Sequence, residues 1–283
     1  MVLLKKREFS CFDLAAVVRE LKSLVEGSRV SNIYQVGVKT FLLKLHVPDK
    51  EALGLVLESG RRLHLTSYVV EKPSVPPGFC MALRKHLRNG WLAGIEQNEF
   101  ERVVVFRFKT KSGVLRLVVE LFAEGNVILV SEDGRIVQAL TYRRMSDRNV
   151  LRGEEFRFAP PSGMNPLKVG KAEFHETMRS SAEEEIVRAL ARSLGIGGFY
   201  AEEVLLRAGI DKTKLCGALS EGEVDAILDG LRRVVSGVCE GPLEPSIILD
   251  AEGSFVDVVP IRLKRYEGFR HVSYGSFNEA LDD

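Results

Sequence analysis

The sequence predicts an α+β fold: a mostly antiparallel sheet domain interrupted by an inserted all-helical domain. Three observations carry that expectation. Short β-branched and aromatic runs, broken by glycine turns, recur from residue 29 to residue 142. From 165 to 240 the apolar spacing changes to the 3.6-residue period of helices. Strand character returns at 246–249, 255–259 and 261–266. These last runs are expected to rejoin the first sheet. The partition expected is therefore 1–164 and 241–283 for the sheet domain, with 165–240 as the insertion.

The elements follow in order. Residues 10–27 form a helix, with Leu14, Val17, Val18, Leu21, Leu24 and Val25 as its apolar stripe and Gly27 as its stop. Strand runs come at 29–35, 40–47, 53–58 and 61–66. Pro73, Pro76 and Pro77 make a stiff connector. Residues 79–90 then read as a short amphipathic helix: Phe79, Leu83 and Leu87 share one face, and Arg84, Lys85 and Arg88 crowd the other. Five more strand runs follow at 91–97, 102–108, 114–122, 126–130 and 136–142, with Asp133-Gly134 as a hairpin turn. The meander predicts a sandwich or barrel with helices packed on it. In the insertion the clearest helices are 183–194, 199–208 and 220–238, the last opened by a Ser220-x-x-Glu223 capping box.

Charge is unevenly placed. The chain carries 40 Lys+Arg against 39 Asp+Glu. Residues 1–181 hold 29 basic and 20 acidic side chains, and residues 182–283 hold 11 and 19. The segment 61–116 is the most lopsided, with 11 basic and 4 acidic. Such asymmetry points to nucleic-acid contact by one part of the chain, against the alternative of a solvated face. No apolar run reaches the roughly 18 residues of a membrane span. The opening Met1-Val2-Leu3-Leu4-Lys5-Lys6-Arg7 is not patterned as a signal peptide. Cys11, Cys80, Cys216 and Cys239 stand apart, as thiols of a reducing cytoplasm would. No metal-ligand spacing, nucleophile elbow or phosphate loop occurs, so neither enzymatic activity, cofactor, metal nor small-molecule substrate is expected.

Three local patterns remain. Gly195, Gly197 and Gly198 precede a helix in an arrangement that resembles a helix-hairpin-helix element, whose backbone N–H groups can hold a phosphate. The acids Glu202 and Glu203 weigh against that. Arg143, Arg144, Asp147 and Arg148 cluster after a strand, with the arginines suited to phosphate and Asp147 placed to orient one of them. Glu120 interrupts the apolar run 117–121, either at a sheet edge or as a paired buried group.

Taken in order, Arg29-Val30-Ser31-Asn32-Ile33-Tyr34-Gln35-Val36-Gly37, Arg62-Leu63-His64-Leu65-Thr66, Pro76-Pro77-Gly78-Phe79-Cys80-Met81-Ala82-Leu83-Arg84-Lys85-His86-Leu87, Ile95-Glu96-Gln97, Val119-Glu120-Leu121-Phe122 and Gly125-Asn126-Val127-Ile128-Leu129 resemble the NFACT family of ribosome-quality-control factors. The likeness covers nearly the whole chain, through Phe277-Asn278-Glu279-Ala280-Leu281-Asp282. It implies an N-terminal fragment of a longer protein. The sheet domain would be similar to the N-terminal domain of formamidopyrimidine-DNA glycosylases. The implied function is binding of tRNA and of the obstructed large ribosomal subunit carrying peptidyl-tRNA, with tRNA recruited for template-free tailing of the nascent chain. The family's tRNA-linked positions map to Asp13 and to the Glu101-Arg102 pair, where the family has Asp-Arg. From the residues alone, Asp13 is equally a capping-box partner of Ser10, and Glu101-Arg102 a solvated pair. Two alternatives are weaker. A DNA glycosylase would need an N-terminal proline amine, and Met1-Val2-Leu3 offers none. A secreted or surface fibronectin-binding adhesin would need an export signal.

Overall fold

The protein is described from a computed structural model that covers Lys6, residues 8–48 and residues 51–283. Apart from Lys6, the opening 1–7 stretch read against a signal peptide lies outside the described residues. The elements are α1 (Cys11–Val25), β1 (Arg29–Gln35), β2 (Thr40–His46), β3 (Leu53–Glu58), β4 (Arg62–Thr66), α2 (Gly78–Leu87), β5 (Trp91–Gln97), β6 (Val103–Thr110), β7 (Gly113–Glu120), β8 (Asn126–Ser131), β9 (Ile136–Ala139), β10 (Arg143–Arg144) and β11 (Asn149–Val150). They continue with α3 (Lys171–Ser180), α4 (Ile186–Ser193), α5 (Gly197–Ala208), α6 (Glu221–Cys239), β12 (Ser246–Leu249), β13 (Phe255–Val259), β14 (Arg270–Ser273) and α7 (Phe277–Asp282). Two compact units contain them: a sheet unit of residues 17–98, 102–160 and 281–283, and a helical unit of 1–16, 99–101 and 161–280.

The sheet unit is an antiparallel meander in the order β4-β3-β2-β1-β5-β6-β7-β8-β9. The join between β1 and β5 is narrow, a single opposed pair of Arg29 and Trp91. The sheet therefore curls there, and Gly60 N–H donates to the Glu120 carbonyl at 2.9 Å. This approach requires glycine at 125: a Cβ added there would stand 2.1 Å from Gly60 N. Along much of β6 to β8 both faces are covered. Val104, Phe106, Leu117 and Leu129 pack on one side, and Val105, Val118, Ile128 and Val130 meet Phe156 on the other. The near-continuous apolar runs of β6 to β8 follow from that double coverage.

The helical unit corrects one expectation. The returning strands do not rejoin the first sheet; β12, β13 and β14 make a three-stranded sheet of their own, in the order β13-β12-β14. Residues 241–280 accordingly group with the helices and not with the sheet domain. The third strand is Arg270–Ser273, whereas Lys264–Tyr266 form a 3-10 turn. The reason is chemical. Glu203 accepts the Lys264 N–H at 2.9 Å and the Arg265 N–H at 3.1 Å, so a carboxylate takes the donors that a strand would have offered to a neighbour. The capping box of α6 forms as the spacing requires: Ser220 Oγ accepts the Glu223 N–H, and Glu223 accepts the Ser220 N–H at 2.8 Å.

Candidate nucleic-acid interface

On α2 the buried stripe is Cys80, Leu83 and Leu87, with Phe79 half-buried edge-to-face on Phe41. The three cations of this helix then part company. Arg84 turns to the sheet: its Nε donates to the Ile33 carbonyl at 2.6 Å, and its guanidinium lies 5.1 Å from the centre of the Tyr34 ring. The contacts engage its Nε and one face of the guanidinium and leave Arg84 half-buried. Lys85 and Arg88 are exposed. Arg152 joins them, a residue without a sequence signal, because it stands after β11 and far from α2 in the chain. The half-buried His86 between them is held below the usual histidine range by burial, then by the charges of Lys85 and Arg152. Burial is the larger cause, and the two cations add to it.

The cluster after β9 divides in the same way. β10 and β11 pair as a short hairpin, with Arg143 opposite Val150. Arg144 and Asp147 are exposed at it and Arg143 is half-buried. Arg148 is not available to RNA. Its Nη1 meets Glu120 at 2.7 Å and donates to the Arg157 carbonyl at 3.1 Å, and both charged side chains are nearly inaccessible. Asp147 stands 3.9 Å from Arg148 Nε, too far for a hydrogen bond. The predicted RNA roles of Arg148 and Glu120 are therefore corrected to a buried ion pair. Glu120 had to find a partner because its position on β7 faces an apolar cluster.

In the helical unit Asp13 is fully buried. Its Oδ2 accepts Ser10 N–H at 2.8 Å and Ser10 Oγ at 2.7 Å, completing the capping box of α1. Its Oδ1 meets Lys6 Nζ at 3.1 Å, and the same ammonium meets Asp257 at 3.1 Å and the Val258 carbonyl at 2.6 Å. Burial alone would lower the Lys6 pKa, but the carboxylates of Asp13 and Asp257 outweigh it and the net direction is upward. Tyr266 donates to Asp257 at 2.8 Å, and Tyr200 stacks on Phe12 at 4.0 Å. The arrangement clamps the segment ahead of α1 onto β13. Both Asp13 oxygens are spent, which corrects its reading as a direct contact to tRNA.

Glu101 is also engaged: Ser162 donates to it from N–H at 2.7 Å and from Oγ at 2.8 Å. It follows two residues with left-handed backbone, Glu99 at φ 47° and Phe100 at φ 66°. Non-glycine residues rarely adopt that conformation. The turn is held by Lys168 and Asn165 on Glu99, at 2.6 and 2.8 Å, and by Phe100 set edge-to-face on Phe12. Arg102, half-buried in the sheet unit, accepts the Leu121 N–H through its carbonyl. Of the three glycines, Gly195 is half-buried and closely approached by Ser162, whose Oγ would stand 2.2 Å from an added Cβ. Gly197, at the start of α5, is exposed, and Gly198 is half-buried. Glu202 and Glu203 do not face that turn; they pair with Lys212 and Arg207, each at 2.6 Å.

The fold class is mixed α/β built on a large antiparallel sheet, and the exposed chemistry of that sheet unit is cationic. The chain belongs to the NFACT family, matching the profile of the NFACT N-terminal and middle domains over residues 10–283. It is 37% identical to the archaeal Rqc2 homolog aRqcH of Methanocaldococcus jannaschii, over 98% of this chain and 42% of that protein. It is 28% identical to the ribosome quality control complex subunit NEMF of Homo sapiens, over 98% of this chain and 28% of that one. The chain thus spans less than half the length of these relatives. Among solved structures, the fibrinogen binding protein from Staphylococcus aureus overlays with a TM-score of 0.77 over 97% of both chains, at 22% identity. That identity supports a shared fold alone.

Proposed function

We propose that this chain is the RNA-binding part of a ribosome-quality-control factor acting in the cytoplasm. It binds tRNA and the obstructed large ribosomal subunit that carries peptidyl-tRNA, and it recruits tRNA for template-free tailing of the stalled nascent chain. The names of the relatives supply the process. The observation that carries the RNA contact is the exposure of Lys85 and Arg88 on α2, with the exposed Arg152 close to the same helix at His86. The sheet unit as a whole holds 23 basic and 16 acidic residues, the helical unit 17 and 23. Phosphate contacts of this kind position an RNA backbone and carry no base sequence. Arg102, Arg143 and Arg144 extend the same unit's supply of forked phosphate donors. The reading is of a binding module, not an enzyme. Glu101 acts through Ser162, which holds its turn. Fibrinogen binding is said of the Staphylococcus aureus protein, and a likeness of fold does not bring it to this chain.

The test is the salt dependence of tRNA binding. Each lost phosphate contact lowers the slope of log affinity against log salt by roughly 0.7 to 0.9. Lys85→Ala with Arg88→Ala is expected to weaken binding and reduce the slope by about 1.5. Unchanged affinity and slope would remove this patch from the interface.

A further inference from the structure

One exposed row of the sheet is not absorbed by the patch on α2. His46 on β2, Arg29 on β1, Trp91 on β5 and Lys109 on β6 are consecutive directly opposed residues. Opposed residues of antiparallel strands place their side chains on one face. All four are exposed. Arg29 and Trp91 are flanked by the hydrogen bonds Leu92 N–H to Ser28 O at 2.8 Å and Val30 N–H to Gly90 O at 2.9 Å. They therefore form a non-hydrogen-bonded pair, the type that brings side chains closest. Neighbouring strands stand about 4.8 Å apart, so Arg29 and Lys109 each lie within a side chain's length of the indole. The end of α2 arrives at the same place, with Asn89 N–H donating to the Val30 carbonyl at 2.8 Å and the exposed Arg88 one residue earlier.

A tryptophan in this setting is not a core residue. Trp91 is 48% exposed, and among the described residues no ring and no cation stands over it. The nearby acids are occupied: Glu26 accepts the Ile95 N–H at 2.9 Å, and Glu96 pairs with Arg107 at 2.9 Å. What faces solvent is an uncovered indole between two cations with no acid in the row. Such a surface suits a nucleobase stacked on the ring with its phosphates held on either side.

We propose that this row is a stacking platform for an unpaired RNA base: Trp91 carries the base, while Arg29, Lys109 and Arg88 hold the adjoining phosphates. The proposal rests on the RNA-binding reading above and deepens it, since it specifies single-stranded and not helical RNA as the ligand of this face. A duplex keeps its bases stacked on one another and has none to offer.

Trp91 is the chain's single tryptophan, so its fluorescence reports this position without labelling. The 283-residue chain would be titrated with a short oligouridylate and with an RNA duplex of the same length, with emission read alongside an independent mobility shift. Single-stranded RNA is expected to quench Trp91, and duplex RNA to bind without comparable quenching. Trp91→Ala should weaken oligouridylate binding about tenfold and leave duplex binding unchanged, while Trp91→Phe should keep most of the affinity. Oligouridylate binding with unaltered emission, or an equal loss for both RNAs in Trp91→Ala, would overturn the platform and leave the RNA-binding reading standing. No mobility shift with either RNA would overturn both.

Discussion

At the scale of single residues, burial sorts charges that look alike in the sequence. Arg144 and Arg148 belong to one loop cluster, yet one is exposed and the other is sealed against Glu120. Removing one member of a buried pair strands the other charge in an apolar setting. Glu120→Ala or Arg148→Ala is therefore expected to cost about 3–5 kcal/mol in denaturant unfolding. The double replacement Glu120→Leu with Arg148→Met should recover most of that loss. If the single variants unfold like the wild type, the pair is not buried in solution. That Glu120 needed a partner was legible, because a carboxylate in the run 117–121 has few other ways to persist. Which arginine would supply the partner was not legible, since β7 and the loop after β10 meet only in the folded sheet. Asp13 shows the same division. Its bond to Ser10 follows from a spacing of three residues, while its link through Lys6 to Asp257 joins opposite ends of the chain.

At the scale of elements, local pattern and structure agree closely wherever neighbours in sequence are neighbours in space. The antiparallel meander meets that condition. The strands β1 to β9 lie where the alternating runs and glycine turns put them, the last of them shorter than its run. The Ser220-x-x-Glu223 box is likewise purely local, and it makes a prediction of its own. The Glu223 carboxyl is held down to about 2, first by the hydrogen bond from Lys214 and then by the Ser220 N–H. A depressed carboxylate stabilises the fold above its ordinary value of 4.5, and the contribution is lost as pH falls from there toward about 2. Glu223→Gln should therefore lower the melting temperature at pH 7 and unfold like wild type near pH 2. Ser220→Ala, which removes the other half of the box, should cost about 1 kcal/mol. A Glu223→Gln deficit that persists unchanged at pH 2 would assign the effect to packing instead. The misread element is instructive for the same reason. Residues 261–266 alternate like a strand, but a glutamate on α5, about sixty residues earlier, takes the backbone donors and makes a turn.

At the scale of the whole molecule, charge is segregated between units: an excess of basic residues in one and of acidic residues in the other. If RNA is captured electrostatically, ultraviolet crosslinks mapped by mass spectrometry should concentrate in residues 17–98 and 102–160. Crosslinks concentrated in 161–280 would transfer the RNA contact to the helical unit. The sequence by itself determined the charge asymmetry, the run of antiparallel strands, the helical segment and the caps, because each depends on periodicity or spacing within a few residues. Only the tertiary structure decided which charges remain available. It buried Asp13 and Arg148, engaged Arg84 with the Ile33 carbonyl, brought Arg152 beside His86 of α2, and aligned Arg29, Trp91 and Lys109 across three strands. Exposure and cross-strand register depend on which distant segments meet, and a one-dimensional pattern does not contain that information.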